Sequence, residues 1–285
     1  MYIMEIFTSL PFWYQSAMFF LLGLIIGSFL NVVIYRFNTG RSINGHSHCT
    51  SCAYALRWYD LIPLLSFLFL KGRCKKCHCK IPLRYFVVEL ITALLFLATF
   101  MQFGFTKIFL FSIPLLSFLI VIALYDLNHM VIPDKLVLYV GILAIVHYFV
   151  VYGFVFKPDV LIQKSIAAMA AFLFFGGLWF VSKGRWIGFG DAKLAVPLAF
   201  ILGPFATFSS IVFSFWIGAF VSILLLILPG LYKKMQHFYT PSPIAKKIKY
   251  FTMKSEVPFA PFMIAAFLLV YIYKIDVLQL MLVYT

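Results

Sequence analysis

Residues 108–126 read Ile108-Phe-Leu-Phe-Ser-Ile-Pro-Leu-Leu-Ser-Phe-Leu-Ile-Val-Ile-Ala-Leu-Tyr125-Asp126, an apolar run whose only charge is its last residue. As a helix, a stretch of this length and polarity matches the hydrocarbon thickness of a bilayer, so it reads as a transmembrane span. The aspartate closing it is out of place, because the helix dipole disfavours negative charge at a C-terminus. An ionisable residue in or beside a span marks a functional site whose partner has to be found.

The rest of the chain has the same character. Of 285 residues, 64% are hydrophobic and 11% charged, and the mean hydropathy is +1.02. Soluble domains are about half apolar and a quarter charged, so a soluble enzyme and a disordered chain are both excluded. The expected fold is an all-α polytopic membrane protein with eight spans near 14–35, 84–103, 108–126, 135–155, 164–182, 192–204, 206–230 and 259–281. The sixth is short, contains Pro197 and is followed at once by Gly203 and Pro204, so a half-helix or re-entrant segment is the alternative there.

The formal charge of +14, from 23 Lys+Arg against nine Asp+Glu, would suggest nucleic-acid binding in a soluble protein. Here only Lys107, Lys157, Lys164 and Lys274 lie outside the segments 36–84, 126–135, 182–193 and 231–258. That is the positive-inside pattern, so these four segments read as cytoplasmic and no nucleic-acid partner is expected. Glu5 precedes the first apolar run and Arg36 is the first basic residue, so this run reads as a retained helix rather than a signal peptide. The lysine-rich loop 231–258 is expected at an anionic leaflet.

In the first cytoplasmic segment, Cys49-Thr-Ser-Cys52 and Cys74-Lys-Lys-Cys77 form two knuckles. Two such pairs can close a tetrahedral four-thiolate zinc site; disulfides are the alternative, disfavoured in a reducing cytoplasm. A site closed by four thiolates leaves no open position, so the metal is expected to be structural. His48, His78 and Cys79 crowd the knuckles, but two complete pairs make them unnecessary. The apolar stretch from Trp58 to Phe69 is expected to lie on the membrane surface. The domain division expected is a first helix over 1–35, a zinc-binding domain over 36–83 and a membrane domain over 84–285.

Among the nine acids, Asp134 after Pro133 and Asp191 at a helix start are explicable as N-terminal caps. Asp191, however, sits in Gly188-Phe-Gly190-Asp191-Ala-Lys193, and the expected topology places it at the depth of Asp126. Two neighbouring carboxyls share a proton, one activating water while the other donates to the carbonyl or leaving amine, so the pair reads as a two-aspartate hydrolase site. On dipole grounds Asp126 is the more readily protonated.

These residues, taken with Gly27-Ser-Phe-Leu-Asn-Val-Val-Ile-Tyr-Arg36, Trp58-Tyr-Asp-Leu-Ile-Pro-Leu-Leu-Ser66, Arg84-Tyr-Phe-Val-Val-Glu-Leu90, Ile132-Pro133-Asp134 and Pro258-Phe-Ala-Pro261, resemble the type IV prepilin peptidases. That family, also called leader peptidase/N-methyltransferases, comprises membrane aspartic peptidases of the Gly-x-Gly-Asp kind. The resemblance implies catalysis by Asp126 and Asp191, supported by Pro133, Asp134, Gly188, Gly190 and Lys193. It further implies zinc on Cys49, Cys52, Cys74 and Cys77, and a multi-pass location in the bacterial inner membrane. The implied substrates are prepilin or pseudopilin precursors, cut after a glycine at the cytoplasmic face to remove a basic leader. It also implies methylation of the new N-terminus with S-adenosylmethionine. Thr50 stands where the family commonly has proline, and Ala260 where glycine is usual. The competing readings are an enzyme on the same scaffold whose main activity is methyl transfer, and a transporter or channel whose acidic pair relays protons or cations.

Overall fold

The computed structural model describes residues 10–37, 45, 47–49, 51–227 and 257–277. Glu5, Glu256 and the lysines at 233, 234, 246, 247, 249 and 254 lie outside these residues. The described residues are helical, with isolated antiparallel bridges between His48 and Ala55 and between Arg73 and Lys80. They form two compact units divided between Phe109 and Leu110.

The first unit holds α1 (Phe12–Arg36), a 3-10 turn (Trp58–Leu61), the short α2 (Leu65–Phe69) and α3 (Arg84–Phe103). Within this unit α3 packs against α1. The α1–α3 contact is built on Gly23 and Gly27, one turn apart, where the absence of side chains lets the backbones meet. A Cβ on Gly23 would lie 2.6 Å from Cα of Ala93, and one on Gly27 would lie 2.8 Å from Cα of Glu89. Phe19, Phe100 and Phe109 close the end of this interface, with ring centroids 4.5 Å apart for Phe19–Phe100 and for Phe19–Phe109. Gly23→Val forces branched carbons into that backbone contact and should destabilise the unit by about 1–3 kcal/mol. Thermal unfolding in detergent reads the loss, and Leu21→Val, on the exposed side of α1, should change nothing.

The second unit comprises α4 (Lys107–His129, from Leu110 onward), α5 (Asp134–Tyr152), α6 (Pro158–Ser182), α7 (Phe189–Leu202), α8 (Pro204–Ile227) and α9 (Ala260–Tyr273). The 14-residue α7 is its centre, packing against α5, α6, α8 and α9. Ala192, Leu194, Ala195, Leu198, Ala199 and Ile201 are all buried on it. A hydrogen bond of 2.9 Å between the hydroxyls of Ser112 and Tyr271 ties α4 to α9.

Six helices, α1, α3, α4, α5, α6 and α8, are long and apolar enough to cross a membrane, and the chain is a multi-pass membrane protein. The other two expected spans are helices of only 14 residues, α7 and α9. At 1.5 Å per residue each reaches about 21 Å, short of a hydrocarbon core of about 30 Å. For α7 the cause is Gly203, whose φ of +84° turns the chain before Pro204 opens α8. Two further differences concern charge. Helix α4 continues past Asp126 to His129. Lys164, expected outside the membrane as the first residue of the span 164–182, is in the second turn of α6 and buried.

Candidate active site and metal centre

The two aspartates are brought together in the second unit. Asp126 is 5% exposed and Asp191 6% exposed, and Asp126 is close enough to act electrostatically on Asp191. Asp191 stands in the first turn of α7, where its Oδ2 accepts the Gly188 N–H at 3.1 Å. The capping role open to Asp191 is thus real, but it uses one oxygen only. Its Oδ1 is buried without a hydrogen-bond partner among the described residues.

Asp126 accepts the backbone N–H of Ala260, the first residue of α9. Each carboxyl is therefore served by a donor at the start of a helix, Gly188 for Asp191 and Ala260 for Asp126, and the dipole argument applies to both alike. Beyond Asp126 the chain turns at Met130, φ +53°, whose N–H donates to the Asp126 carbonyl at 2.7 Å.

The flanking residues hold the first turn of α7 against that connection. A Cβ on Gly190 would lie 3.0 Å from Cβ of Ile132, so any other residue there requires Ile132 to shift by a few tenths of an ångström. Pro133 caps α5, Asp134 is its first residue, and Lys193 donates to Asp134 Oδ1 at 2.8 Å, joining the first turns of α5 and α7. The Phe189 ring lies under Lys193 and 5.0 Å from the Trp179 ring. Two buried carboxyls at interaction distance, one with an open oxygen, can hold one proton between them and polarise a water.

In the first unit, the Sγ atoms of Cys49, Cys52, Cys74 and Cys77 all lie within 4.8 Å of one another. Cys49 to Cys77 is 3.9 Å and Cys52 to Cys74 is 4.0 Å. Tetrahedral zinc with bonds of about 2.3 Å requires sulfurs about 3.8 Å apart, so the cluster fits a metal of that kind. The two knuckles repeat one backbone design. Ala53 and His78, each just after the second cysteine of its pair, have φ of +53° and +55°. Each donates its N–H at 3.0 Å to the carbonyl of the pair's first cysteine, Cys49 or Cys74.

A fifth thiol, Cys79, stands 3.6 Å from Cys49. Burial works against the Cys49 thiolate, but backbone N–H groups of Ser51 and Cys52 and neighbouring thiols outweigh it and bring the group down to about 6. For Cys79 a Ser51 hydroxyl bond favours ionisation, yet Cys77, burial and Cys49 push it up to about 11. The set of four sulfurs that all lie within 4.8 Å of one another is Cys49, Cys52, Cys74 and Cys77, and Cys79 stands beside it. Left-handed backbone costs a non-glycine residue about 1–2 kcal/mol. Ala53→Gly removes that strain against a smaller gain in unfolded-chain entropy and should stabilise the knuckle by about 0.5–1 kcal/mol. Slower metal loss to a chelator would register it.

Two features escaped the sequence reading. Ala260 serves Asp126 through a backbone N–H, which no side-chain motif advertises. Glu89, quoted in the Arg84–Leu90 stretch without a role of its own, accepts the Leu64 N–H on Oε2 at 2.9 Å. Leu64 has φ +58° and ψ −47°, and the Leu65 N–H donates to the Pro63 carbonyl at 2.6 Å, a γ-turn of the strained hand. The rule that flags intramembrane acids applies to Glu89 as much as to Asp126.

Residues 21–103 match the family model described as Bacterial Peptidase A24 N-terminal domain, and residues 113–223 match that of the Type IV leader peptidase family. The first match holds all the cysteines and the second holds both aspartates. The chain is 36% identical over 231 residues to a prepilin leader peptidase/N-methyltransferase of Myxococcus xanthus, covering 78% of this chain and 68% of the relative. It is 32% identical over 234 residues to the Bacillus subtilis protein of that name, covering 81% and 92%, and 33% identical over 258 residues to that of Aeromonas hydrophila, covering 79% and 86%. No solved structure matches the chain. With both domain models matched in order and relatives aligned over most of their length, this chain belongs to the type IV leader peptidase family.

Proposed function

We propose that the protein is a membrane-embedded aspartic endopeptidase that removes basic leaders, after a glycine, from prepilin or pseudopilin precursors. The observation that carries the reading is the buried pair of Asp126 and Asp191, with Asp191 Oδ1 open. The ionised carboxyl takes a proton from water as the water oxygen bonds to the glycine carbonyl carbon. The protonated carboxyl gives its proton to the carbonyl oxygen. The C–N bond then breaks and the new amine leaves with a proton returned through the pair.

Asp126 and Asp191 lie beside the basic connecting segments that hold Lys135, Lys183, Arg185 and Lys193, which supports an inner-membrane protein whose site faces the cytoplasm. Irregular substrate backbone is tolerated more readily there than at mid-bilayer. Cys49, Cys52, Cys74 and Cys77 would hold zinc as a structural staple of the 36–83 domain, and residues 84–285 would supply the peptidase. Methyl transfer from S-adenosylmethionine to the new N-terminus is supported by the relatives' names; the chain has no glycine-rich nucleotide signature of its own, and no residue is assigned to the donor.

The test is mass spectrometry of a precursor with a basic leader and a Gly-Phe junction, incubated with the purified protein in detergent. Cleavage at that junction is expected, with one methyl group added when S-adenosylmethionine is present. An intact precursor would overturn the peptidase reading, and a cleaved but unmethylated product would overturn the methyltransferase reading alone.

A further inference from the structure

The buried Lys164 of α6 has no part in the chemistry above. It is 6% exposed, and no carboxylate pairs with it among the described residues. Its Nζ instead donates to two backbone carbonyls at the end of α7, Phe200 at 3.1 Å and Ile201 at 2.9 Å. In an unbroken helix these carbonyls accept the N–H groups of residues 204 and 205. Residue 204 is proline and has no N–H, and Gly203 turns the chain away before a further turn can form.

The preceding carbonyl, that of Ala199, is satisfied locally by the Gly203 N–H at 2.8 Å and the Thr207 hydroxyl at 3.3 Å. The Phe200 and Ile201 carbonyls would be orphaned in a medium without water, and one lysine from a neighbouring helix supplies both. A cation is also the favoured charge at a helix C-terminus.

We propose that Lys164 is a positioning residue for Asp191. The 14 residues of α7 form a short rod with Asp191 in its first turn and the Lys164 acceptors in its last. Those ends are about 14 Å apart at 1.5 Å per residue. At the Asp191 end the rod is held by Lys193 and Asp134; at the far end it is pinned to α6 by Lys164. Together the two attachments set the depth and rotation at which Asp191 meets Asp126. The inference rests on the aspartate pair being catalytic, as proposed above.

Cleavage kinetics and amide hydrogen exchange would be measured on wild type, Lys164→Arg, Lys164→Gln and Lys164→Met, each purified in detergent. Arginine keeps donors long enough to reach, glutamine a shorter one and methionine none. The expected kcat order is therefore wild type, Arg, Gln, Met, with KM unchanged and a loss of about 10–100-fold at Met, the scale of a misplaced catalytic group. Exchange should quicken at residues 199–203 and also at 188–193. Unaltered kcat per folded molecule, or faster exchange confined to 199–203, would make Lys164 merely structural and overturn the proposal. If Met does not fold, the Arg-against-Gln comparison decides. If wild type fails to cleave, the peptidase reading has failed, and exchange at 188–193 still tells whether Lys164 holds the Asp191 turn.

Discussion

Asp126→Asn and Asp191→Asn should each lower the rate of leader cleavage by roughly 10^2–10^4-fold, the usual contribution of a positioned acid or base. The substitution suits the site because it leaves the scaffold intact. An asparagine oxygen at 191 still accepts the Gly188 N–H that starts α7, and one at 126 still accepts the Ala260 N–H that starts α9. What is lost is the ability to hold and pass a proton. The two variants should therefore match wild type in thermal unfolding and in zinc content while failing to cut a Gly-Phe junction. The double variant should be hardly worse than either single one, since residues that act as a unit are strongly non-additive. A product-forming Asp191→Asn enzyme would remove the aspartate pair from the mechanism, and a transporter reading would then regain ground.

That pair was legible in the sequence because both signals were local. Asp126 violates hydropathy at the end of an apolar run, and Asp191 follows Gly-x-Gly. The cysteine pairs were legible for the same reason, each knuckle being four residues long. What could not be read is what depends on partners distant in sequence. Lys164 stood at the start of the expected span 164–182 because a hydropathy window treats any charge as a boundary; its real environment depends on carbonyls 36 and 37 residues away. Glu89 was passed over because its partner is a backbone N–H 25 residues earlier. The length of α7 was half visible. Gly203 and Pro204 announced a break, but not that the resulting short helix would be the centre of its unit, packed on four others. The contact of α1 with α3 likewise depends on partners distant in sequence: Gly23 and Gly27 meet Ala93 and Glu89, Phe19 meets Phe100, and the Asn31 amide donates to the Tyr85 carbonyl at 3.1 Å.

Stripping zinc should unfold the cysteine segment while leaving the second unit folded. Among the described residues between 45 and 83, Cys74 is the only buried one. Trp58 and Phe69, two of the large apolar side chains available for a core, are 78% and 81% exposed, and Phe67 is half-buried against Phe86. A segment with so little interior cannot offset its own chain entropy, and a structural zinc site contributes about 10–16 kcal/mol of apparent binding free energy. The metal, rather than packing, therefore decides whether these knuckles exist. A single cysteine replacement is a poor test, because Cys79 lies 3.6 Å from Cys49 and is placed to step in for a missing thiolate. Cys52→Ala combined with Cys74→Ala removes one ligand from each knuckle, more than Cys79 can replace. Zinc content measured by atomic emission should fall from one per chain to none, and limited proteolysis should open sites between residues 47 and 81. Cys79→Ser should change neither reading. Full zinc occupancy in the double variant would move the metal to other ligands; a protease-resistant segment without zinc would mean that apolar contact with the bilayer, through residues such as Trp58 and Phe69, holds the domain in place of the metal.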